Sequence, residues 1–165
     1  MILLIVIISL SVYNLIPEQS LPAGITIDKI IVIKSQRKMM VFSNNQLIKT
    51  YRISLGRKPV GPKQYEGDKR TPEGLYYLND KNPNSTFHKN LGVSYPDKYD
   101  VENAISRGKN PGGDIKIHGI RNGLGFINKF HRLIDWTSGC IALTNSEIDE
   151  LFDSAQIGIP IEIKK

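Results

Sequence analysis

Cys140 and His118 are the two side chains of this 165-residue sequence best suited to do chemistry together. Cys140 ends a Thr-Ser-Gly-Cys turn, where Gly139 lets the backbone present the thiol and direct successive N–H groups at one point. His118 ends a short run of alternating apolar and polar residues. Because a thiol is only slightly ionised near neutral pH, it needs such a base within hydrogen-bond reach. Cysteine-based attack on a carbonyl carbon is therefore one interpretation of the pair.

Residue types alone leave two other interpretations open. The chain has one cysteine, which forms no intramolecular disulfide, and a lone cysteine is most often a buried apolar side chain. A zinc site is the second alternative, with ligands drawn from Asp114, His118, His131 and Cys140. The sequence has, however, neither the His-x₃-His nor the paired-cysteine spacing of zinc sites. We therefore expect no metal.

The motifs around the pair resemble those of a known enzyme family. Ile117-His118-Gly119 is followed, after an interval, by Ser138-Gly139-Cys140-Ile141. Upstream, Arg70-Thr71-Pro72-Glu73-Gly74 contains a Thr-Pro-x-Gly segment. These motifs are similar to the signature of L,D-transpeptidase catalytic domains of the YkuD type, and segments 111–119 and 131–137 look like its small exported branch. The resemblance extends over about residues 28–165.

The resemblance implies a peptidoglycan L,D-transpeptidase that works without a cofactor. Cys140 would attack the carbonyl of the L-centred diamino acid in a stem tetrapeptide, D-alanine would leave, and the acyl group would pass to an amine of another stem peptide or of an envelope protein. His118 would be the general base and the Gly119 carbonyl would orient it. The N–H groups of Ser138, Gly139 and Cys140 would line the oxyanion hole.

Two departures from the family pattern leave the acyl acceptor open. Many members carry a histidine where this chain has Ser138, and an arginine or asparagine where it has Ala142. A cysteine hydrolase that cleaves peptidoglycan peptides, or bonds between proteins and peptidoglycan, is therefore the alternative to transfer. A zinc peptidase or a non-catalytic wall-binding module is a weaker one, because a binding module would be expected to have lost Cys140 or His118.

Five further residues are candidates for contacts with the substrate: Arg70, Tyr95, Arg121, His131 and Arg132. Arg70 immediately precedes the Thr-Pro-x-Gly segment, and Tyr95 precedes a proline in a turn-rich region where the family has substrate-facing loops. His131 lies between the two motif halves, where a structural role in the loop is the alternative. Trp136, the only tryptophan, is expected to pack beside the turn at residues 137–140, called the nucleophile turn here.

The elements that must position these residues are mainly strands. Runs rich in β-branched residues at 27–34, 38–42 and 46–55 predict strands, and a long loop with four Gly and three Pro follows at 56–74. Shorter strands are expected at four places: 75–78, 114–118, 140–143 and 159–163. No alternation of strands with helices appears, which argues against a doubly wound sheet.

Helices are few in this pattern. Thr144 and Glu147 have capping-box spacing, and Ile148, Leu151 and Phe152 form one apolar helical face. A second, short helix is expected at 101–107, and residues 80–100 are expected to be turn-rich. We predict a mainly β fold, an L,D-transpeptidase-like β-sandwich or barrel with one or two short helices.

The N-terminus differs in composition from the rest of the chain. Residues 2–10 are nearly all aliphatic, a run shorter than the roughly 18 to 20 residues of a spanning helix. We predict a signal peptide or inner-membrane anchor at 1–24 and one exported catalytic domain at 25–165, in the periplasm or cell envelope. A buried strand or helix of the domain is the alternative interpretation of this run.

The charge of the chain is consistent with an envelope location. Lys and Arg outnumber Asp and Glu by 22 to 16, and a net charge of +6 favours polyanionic surroundings such as nucleic acid, anionic lipid or cell-wall polymer, without choosing among them. The sequence has no arginine-rich stripe with interleaved aromatic residues, so nucleic acid is not expected as a partner. The expected partners are peptidoglycan stem peptides and an envelope protein as acceptor or released product.

Overall fold

The computed structural model describes residues 12–165, which contain eight strands, two α-helices of nine and ten residues, and a short helical stretch at 12–15. The strands are β1 (Lys29–Ile33), β2 (Lys38–Ser43), β3 (Gln46–Arg52), β4 (Gly74–Ser85), β5 (His88–Val93), β6 (Lys116–His118), β7 (Ile141–Ala142) and β8 (Pro160–Lys164). The helices are α1 (Lys98–Ser106) and α2 (Asn145–Ser154), and 3-10 turns occupy Lys34–Gln36 and Gly125–Leu133.

The strands form one sheet that curls on itself. Their order is β3-β2-β1-β8-β4-β5-β6-β7, in which β1–β8 and β6–β7 are parallel and the other pairs antiparallel. Ser54, just after β3, exchanges two backbone hydrogen bonds with Ala142 in β7, of 3.1 and 2.9 Å. An isolated bridge therefore links the two edges of the curled sheet, which has the form of a half-barrel. The predicted mainly β fold with few short helices is confirmed.

The core of the domain follows from the alternation of side chains along the strands. Ile30 and Val32 in β1, Met39 and Val41 in β2, and Ile161 in β8 are fully buried, as period-two patterning requires of the inner face. Burying a side chain of this kind contributes about 1.5–3 kcal/mol. The curled sheet thus encloses one apolar core, against which α2 packs through two further buried side chains, Ile148 and Leu151.

Helix α2 begins where the sequence predicts. The Thr144 Oγ1 accepts a hydrogen bond from the N–H of Glu147 at 3.3 Å, and the Glu147 carboxylate accepts one from the N–H of Thr144 at 3.0 Å. The reciprocal pair satisfies two donors that a helix N-terminus leaves unpaired. The predicted capping box is confirmed. It fixes the point at which the chain leaves β7, immediately after the nucleophile turn.

The turn-rich structure expected at 80–100 is wrong for much of that segment. Strand β4 continues to Ser85 and pairs with β5 as an antiparallel hairpin, with two irregularities in the register. Its Asn, Asp and Pro residues disfavour strands, but backbone pairing with β5 overrides that local preference. Strand β5 in turn pairs with β6, so the unpredicted hairpin supports the strand that carries His118.

The predicted N-terminal leader lies largely outside the described residues, which begin at Val12. Within residues 12–165, no helix is both long and apolar enough to cross a membrane. The boundary expected between residues 24 and 25 stays a prediction.

Candidate active site

Cys140 and His118 are brought together by two short parallel strands. Ile117 in β6 pairs with Ile141 in β7, and His118 pairs with Ala142. Side chains two positions apart point to the same face of a strand, so Cys140 lies on the same face as Ala142 and its partner His118. The register of the sheet therefore places the thiol and the imidazole on one face of adjacent strands.

Both side chains line a cavity of about 720 Å³, to which Phe87 and Trp136 also contribute. A second cavity, of about 360 Å³, reaches Cys140 from the loop that contains Lys63. Because the thiol borders both cavities, two separate groups can approach it.

The thiol of Cys140 is held by the backbone that precedes β6. Its Sγ donates a hydrogen bond to the carbonyl oxygen of Asp114 at 3.4 Å. Burial raises the pKa of the Cys140 thiol, against the N–H and positive charge of Lys116, which act to lower it. The group is therefore protonated at rest and needs a base before it can attack.

His118 is in the state that a base requires. Its Nδ1 lies 2.7 Å from the carbonyl oxygen of Gly119; a carbonyl only accepts, so Nδ1 carries the proton and Nε2 is left to take another. Burial lowers the pKa of His118, which keeps the imidazole neutral. The rings of Phe87 and Trp136, with centroids 4.7 and 5.6 Å from that of His118, fix its orientation.

The nucleophile turn is shaped by Thr137 and Gly139. The Thr137 Oγ1 donates to the carbonyl of Cys140 at 2.7 Å and accepts from the N–H of Gly139 at 3.1 Å. Gly139 has a φ of +136°, and a Cβ there would lie 2.7 Å from the carbonyl oxygen of Arg70. Since the N–H of Gly139 is committed to Thr137, the N–H groups of Ser138 and Cys140 are the remaining oxyanion-hole candidates.

Of the five residues expected to contact substrate, Arg121 lines the larger cavity. Neither cavity that borders Cys140 includes the other four among its lining residues. Arg70 directs its guanidinium toward Pro62, at 3.5 Å from that carbonyl oxygen. Tyr95 is buried, and its hydroxyl donates to the carbonyl of Pro111 at 2.9 Å.

The side chains of His131 and Arg132 are both buried in the domain. The Nδ1 of His131 lies 3.2 Å from the Ser54 Oγ, and its ring lies edge-on to Trp136. Arg132 forms ion pairs with Glu147 at 2.6 Å and Glu18 at 3.0 Å. These contacts tie the end of the Gly125–Leu133 turns to the start of α2 and to the N-terminal segment.

Arg57 is a cavity residue that the sequence analysis did not identify. Its backbone N–H donates to the carbonyl of Thr137 at 3.1 Å, and its Nε donates to the carbonyl of Trp136 at 3.1 Å. The only signal for it in the sequence was its place in the long loop at 56–74, since loops of this length are usually functional. Within residues 12–165, no three His, Cys, Asp or Glu side chains cluster so as to hold a metal ion.

Known proteins share this architecture. The family model of the L,D-transpeptidase catalytic domain, YkuD, matches residues 27–163. YafK of Escherichia coli (strain K12) is 33% identical over 110 residues, which are 65% of this chain and 37% of YafK. Bd1075 of Bdellovibrio bacteriovorus has a TM-score of 0.58 and 27% identity, over 88% of this chain and 50% of its own.

A further solved structure shares the fold. The helical cell shape determining protein Pgp2 from Campylobacter jejuni has a TM-score of 0.63 and 23% identity, over 88% of this chain and 51% of its own. The chain thus spans about half the length of these solved relatives and 37% of YafK. The family model nevertheless extends over nearly all of the described domain, and it includes both Cys140 and His118. The chain therefore belongs to the YkuD family of L,D-transpeptidase catalytic domains.

Proposed function

We propose that this protein is a peptidoglycan L,D-transpeptidase that forms an acyl-enzyme at Cys140. The observation that carries the proposal is the thiol and the neutral imidazole on one face of β6 and β7, facing one cavity inside an L,D-transpeptidase fold. The substrate would be a stem tetrapeptide, and the bond attacked would join the L-centred diamino acid to the terminal D-alanine.

In the first half-reaction, His118 takes the thiol proton on Nε2 as the Cys140 sulfur attacks the carbonyl carbon. The hydrogen bond from Nδ1 to Gly119 stabilises the resulting imidazolium. The oxyanion receives hydrogen bonds from the N–H groups of Ser138 and Cys140. The C–N bond then breaks, the leaving amine of D-alanine takes the proton from His118, and a thioester remains.

In the second half-reaction, an amine attacks the thioester carbonyl and gives its proton to His118. The C–S bond breaks, and the Cys140 sulfur takes the proton back as the thiol. The 360 Å³ cavity gives the acceptor access to the thioester separate from the larger cavity, which supports transfer to an amine. The same steps with water as acceptor would give hydrolysis, the alternative function.

We further propose that the protein acts in the cell envelope. Its substrate lies outside the cytoplasm, and the aliphatic run at 2–10 is suited to an export signal or a membrane anchor. An envelope protein whose amine accepts the acyl group would fit the same chemistry.

The test is product analysis with defined muropeptides, with and without an acceptor amine. Wild-type protein is expected to release D-alanine and, with the amine, to give a cross-linked product by mass spectrometry. Cys140→Ala should give neither product while unfolding at an unchanged temperature. Undiminished turnover by Cys140→Ala would contradict the proposal, and shortened peptides alone, even with acceptor present, would favour hydrolysis.

A further inference from the structure

The larger cavity carries an excess of positive charge that its own residues do not neutralise. Three cations line it, Arg57, Lys116 and Arg121, against one carboxylate, that of Asp114. Lys116 is compensated, because its Nζ lies 3.5 Å from Asp80 and 3.9 Å from Asp114. Among residues 12–165, neither arginine has a carboxylate oxygen within ion-pair distance. The cavity that holds the nucleophile is therefore prepared for an anionic group.

Arg57 is the better fixed of the two free guanidinium groups. Its backbone N–H and its Nε donate to two consecutive carbonyls, those of Thr137 and Trp136. Both belong to the segment 136–140 that ends at Cys140, called the nucleophile loop here. The preceding Gly56 is buried, and a Cβ there would lie 2.3 Å from the carbonyl oxygen of Lys69, so the chain is closely confined at this point. The two terminal nitrogens of Arg57 remain for a ligand, and their planar fork matches a carboxylate.

Arg121 is held differently, although both arginines are exposed. It follows β6 by three residues and borders both the larger cavity and a neighbouring apolar pocket that Phe130 and Ile134 also line. Arg121 can add to the positive potential of the cavity, but its position relative to the thiol is less constrained than that of Arg57. Arg57 is attached to the loop that ends at Cys140, so a ligand bound by Arg57 lies beside the nucleophile.

We propose that Arg57 is a specificity-determining residue that binds the free α-carboxylate of the amino acid released by Cys140. This inference rests on the proposed function. In a peptide attacked at its last amide bond, three covalent bonds separate the scissile carbonyl carbon from the terminal carboxylate carbon. A guanidinium beside the nucleophile loop can therefore hold the carboxylate while the thiol attacks. The enzyme would then attack the last amide bond of a peptide in preference to its internal amide bonds.

The first test measures the anion site without requiring turnover. Cys140 is alkylated with iodoacetate, which is anionic, and with iodoacetamide, which is neutral, and the ratio of the two rate constants is compared between variants. Arg57→Gln is expected to lower the ratio about tenfold, the usual size of a lost charge-assisted contact. Arg57→Lys, which keeps the charge but not the fork, should give an intermediate ratio.

The control is Lys58→Gln, which makes the same change of charge at the neighbouring exposed position, outside both cavities that border Cys140. Its ratio is expected to stay within about twofold of wild type, because an exposed and distant charge is screened. An unchanged ratio in Arg57→Gln, or an equal fall in Lys58→Gln, would overturn the assignment of Arg57.

The second test compares two peptides that end in a free carboxylate or in a carboxamide. Wild type is expected to have a higher kcat/KM for the acid than for the carboxamide. Arg57→Gln is expected to lower kcat/KM for the acid about tenfold and to leave kcat/KM for the carboxamide unchanged. A preference that persists in Arg57→Gln would overturn the proposal. If wild type turned over neither peptide, the proposed function would fail, and the alkylation ratio would still decide whether Arg57 binds anions beside Cys140.

Discussion

The thiol of Cys140 donates a hydrogen bond to the main-chain carbonyl of Asp114, at 3.4 Å. A carbonyl only accepts hydrogen bonds, so this contact holds the protonated form of the nucleophile. Burial acts in the same direction, because it raises the pKa of Cys140 and lowers that of His118. The resting pair is therefore a thiol and a neutral imidazole rather than a thiolate and an imidazolium. In the proposed mechanism, proton transfer to His118 accompanies the attack of Cys140.

This resting state predicts a dependence of thiol reactivity on His118. His118→Ala should slow alkylation of Cys140 by iodoacetamide at pH 7 about tenfold or more, because general base assistance is lost. The wild-type rate should retain this assistance below pH 6.5, since the pKa of His118 lies below that ordinary value. His88→Ala is the matched control, as His88 pairs with Asp149 and lines neither cavity that borders Cys140. Equal rates for His118→Ala and wild type would contradict the assigned base.

A second prediction concerns stability in acid. Burial, and then the charge of the neighbouring Arg132, lowers the pKa of His131 to about 3 from an ordinary value of 6.5. Between these values the unfolded chain binds a proton that the folded one does not, so stability falls as pH drops below 6.5. His131 should account for about 2 kcal/mol of the loss in unfolding free energy between pH 7 and pH 5.

The measurement is urea unfolding of wild type and His131→Gln at both pH values. The variant is expected to be less stable at pH 7 but to lose less stability on acidification. Parallel losses in the two proteins would show that His131 is not the group responsible.

A third prediction concerns the buried ion pair within the long loop at 56–74. Lys63 and Asp68 are 2.9 Å apart with side chains only 4% exposed, and Asp68 also accepts N–H groups of Gln64 and Arg70. Asp68→Asn leaves the ammonium of Lys63 buried without its partner, which should cost about 3–5 kcal/mol in unfolding free energy. This loop lines the second cavity at Cys140, so turnover should fall as well.

The control for that change is Glu162→Gln, which removes the acid of an exposed pair with Lys164, 3.0 Å away. Its effect on the unfolding free energy should be within about 1 kcal/mol, as for other surface pairs. Urea unfolding measures the unfolding free energy of both variants. Similar losses in Asp68→Asn and Glu162→Gln would contradict the prediction that burial makes the Lys63–Asp68 pair the more costly one to break.

Features that depend on neighbouring residues were predictable from the residues themselves. Features that depend on tertiary pairing were not, apart from the pairing of Cys140 with His118, which the family resemblance implied. The capping box of Thr144 and Glu147 is a local contact, and it was identified from spacing alone. Strand β5 was missed because its residues lack a strand pattern and owe their conformation to β4 and β6. Arg57 was missed for a similar reason, since its place beside the nucleophile depends on contacts with Trp136 and Thr137, far along the chain.

The last prediction concerns the requirement for glycine at position 139. The sequence suggested only that Gly139 gives the backbone conformational freedom, whereas the structure shows that neighbouring atoms leave no room for a side chain there. With φ at +136° and the Arg70 carbonyl 2.7 Å from an added Cβ, Gly139→Ala cannot keep the nucleophile turn as it stands. Strain of this kind costs about 1–3 kcal/mol, and relief of it must move Cys140 relative to His118. Unfolding free energy and alkylation rate should therefore both fall.

Gly113→Ala is the matched substitution for this test. Gly113 also borders the second cavity near Cys140, but it has an ordinary φ and no atom within 4 Å of an added Cβ. The variant should unfold and react like wild type, since replacing a glycine at a compatible position reduces only the entropy of the unfolded chain. Because both changes add one methyl group near the thiol, a difference between them isolates the contact with Arg70. Wild-type reactivity in Gly139→Ala would mean that the turn relaxes without moving the nucleophile.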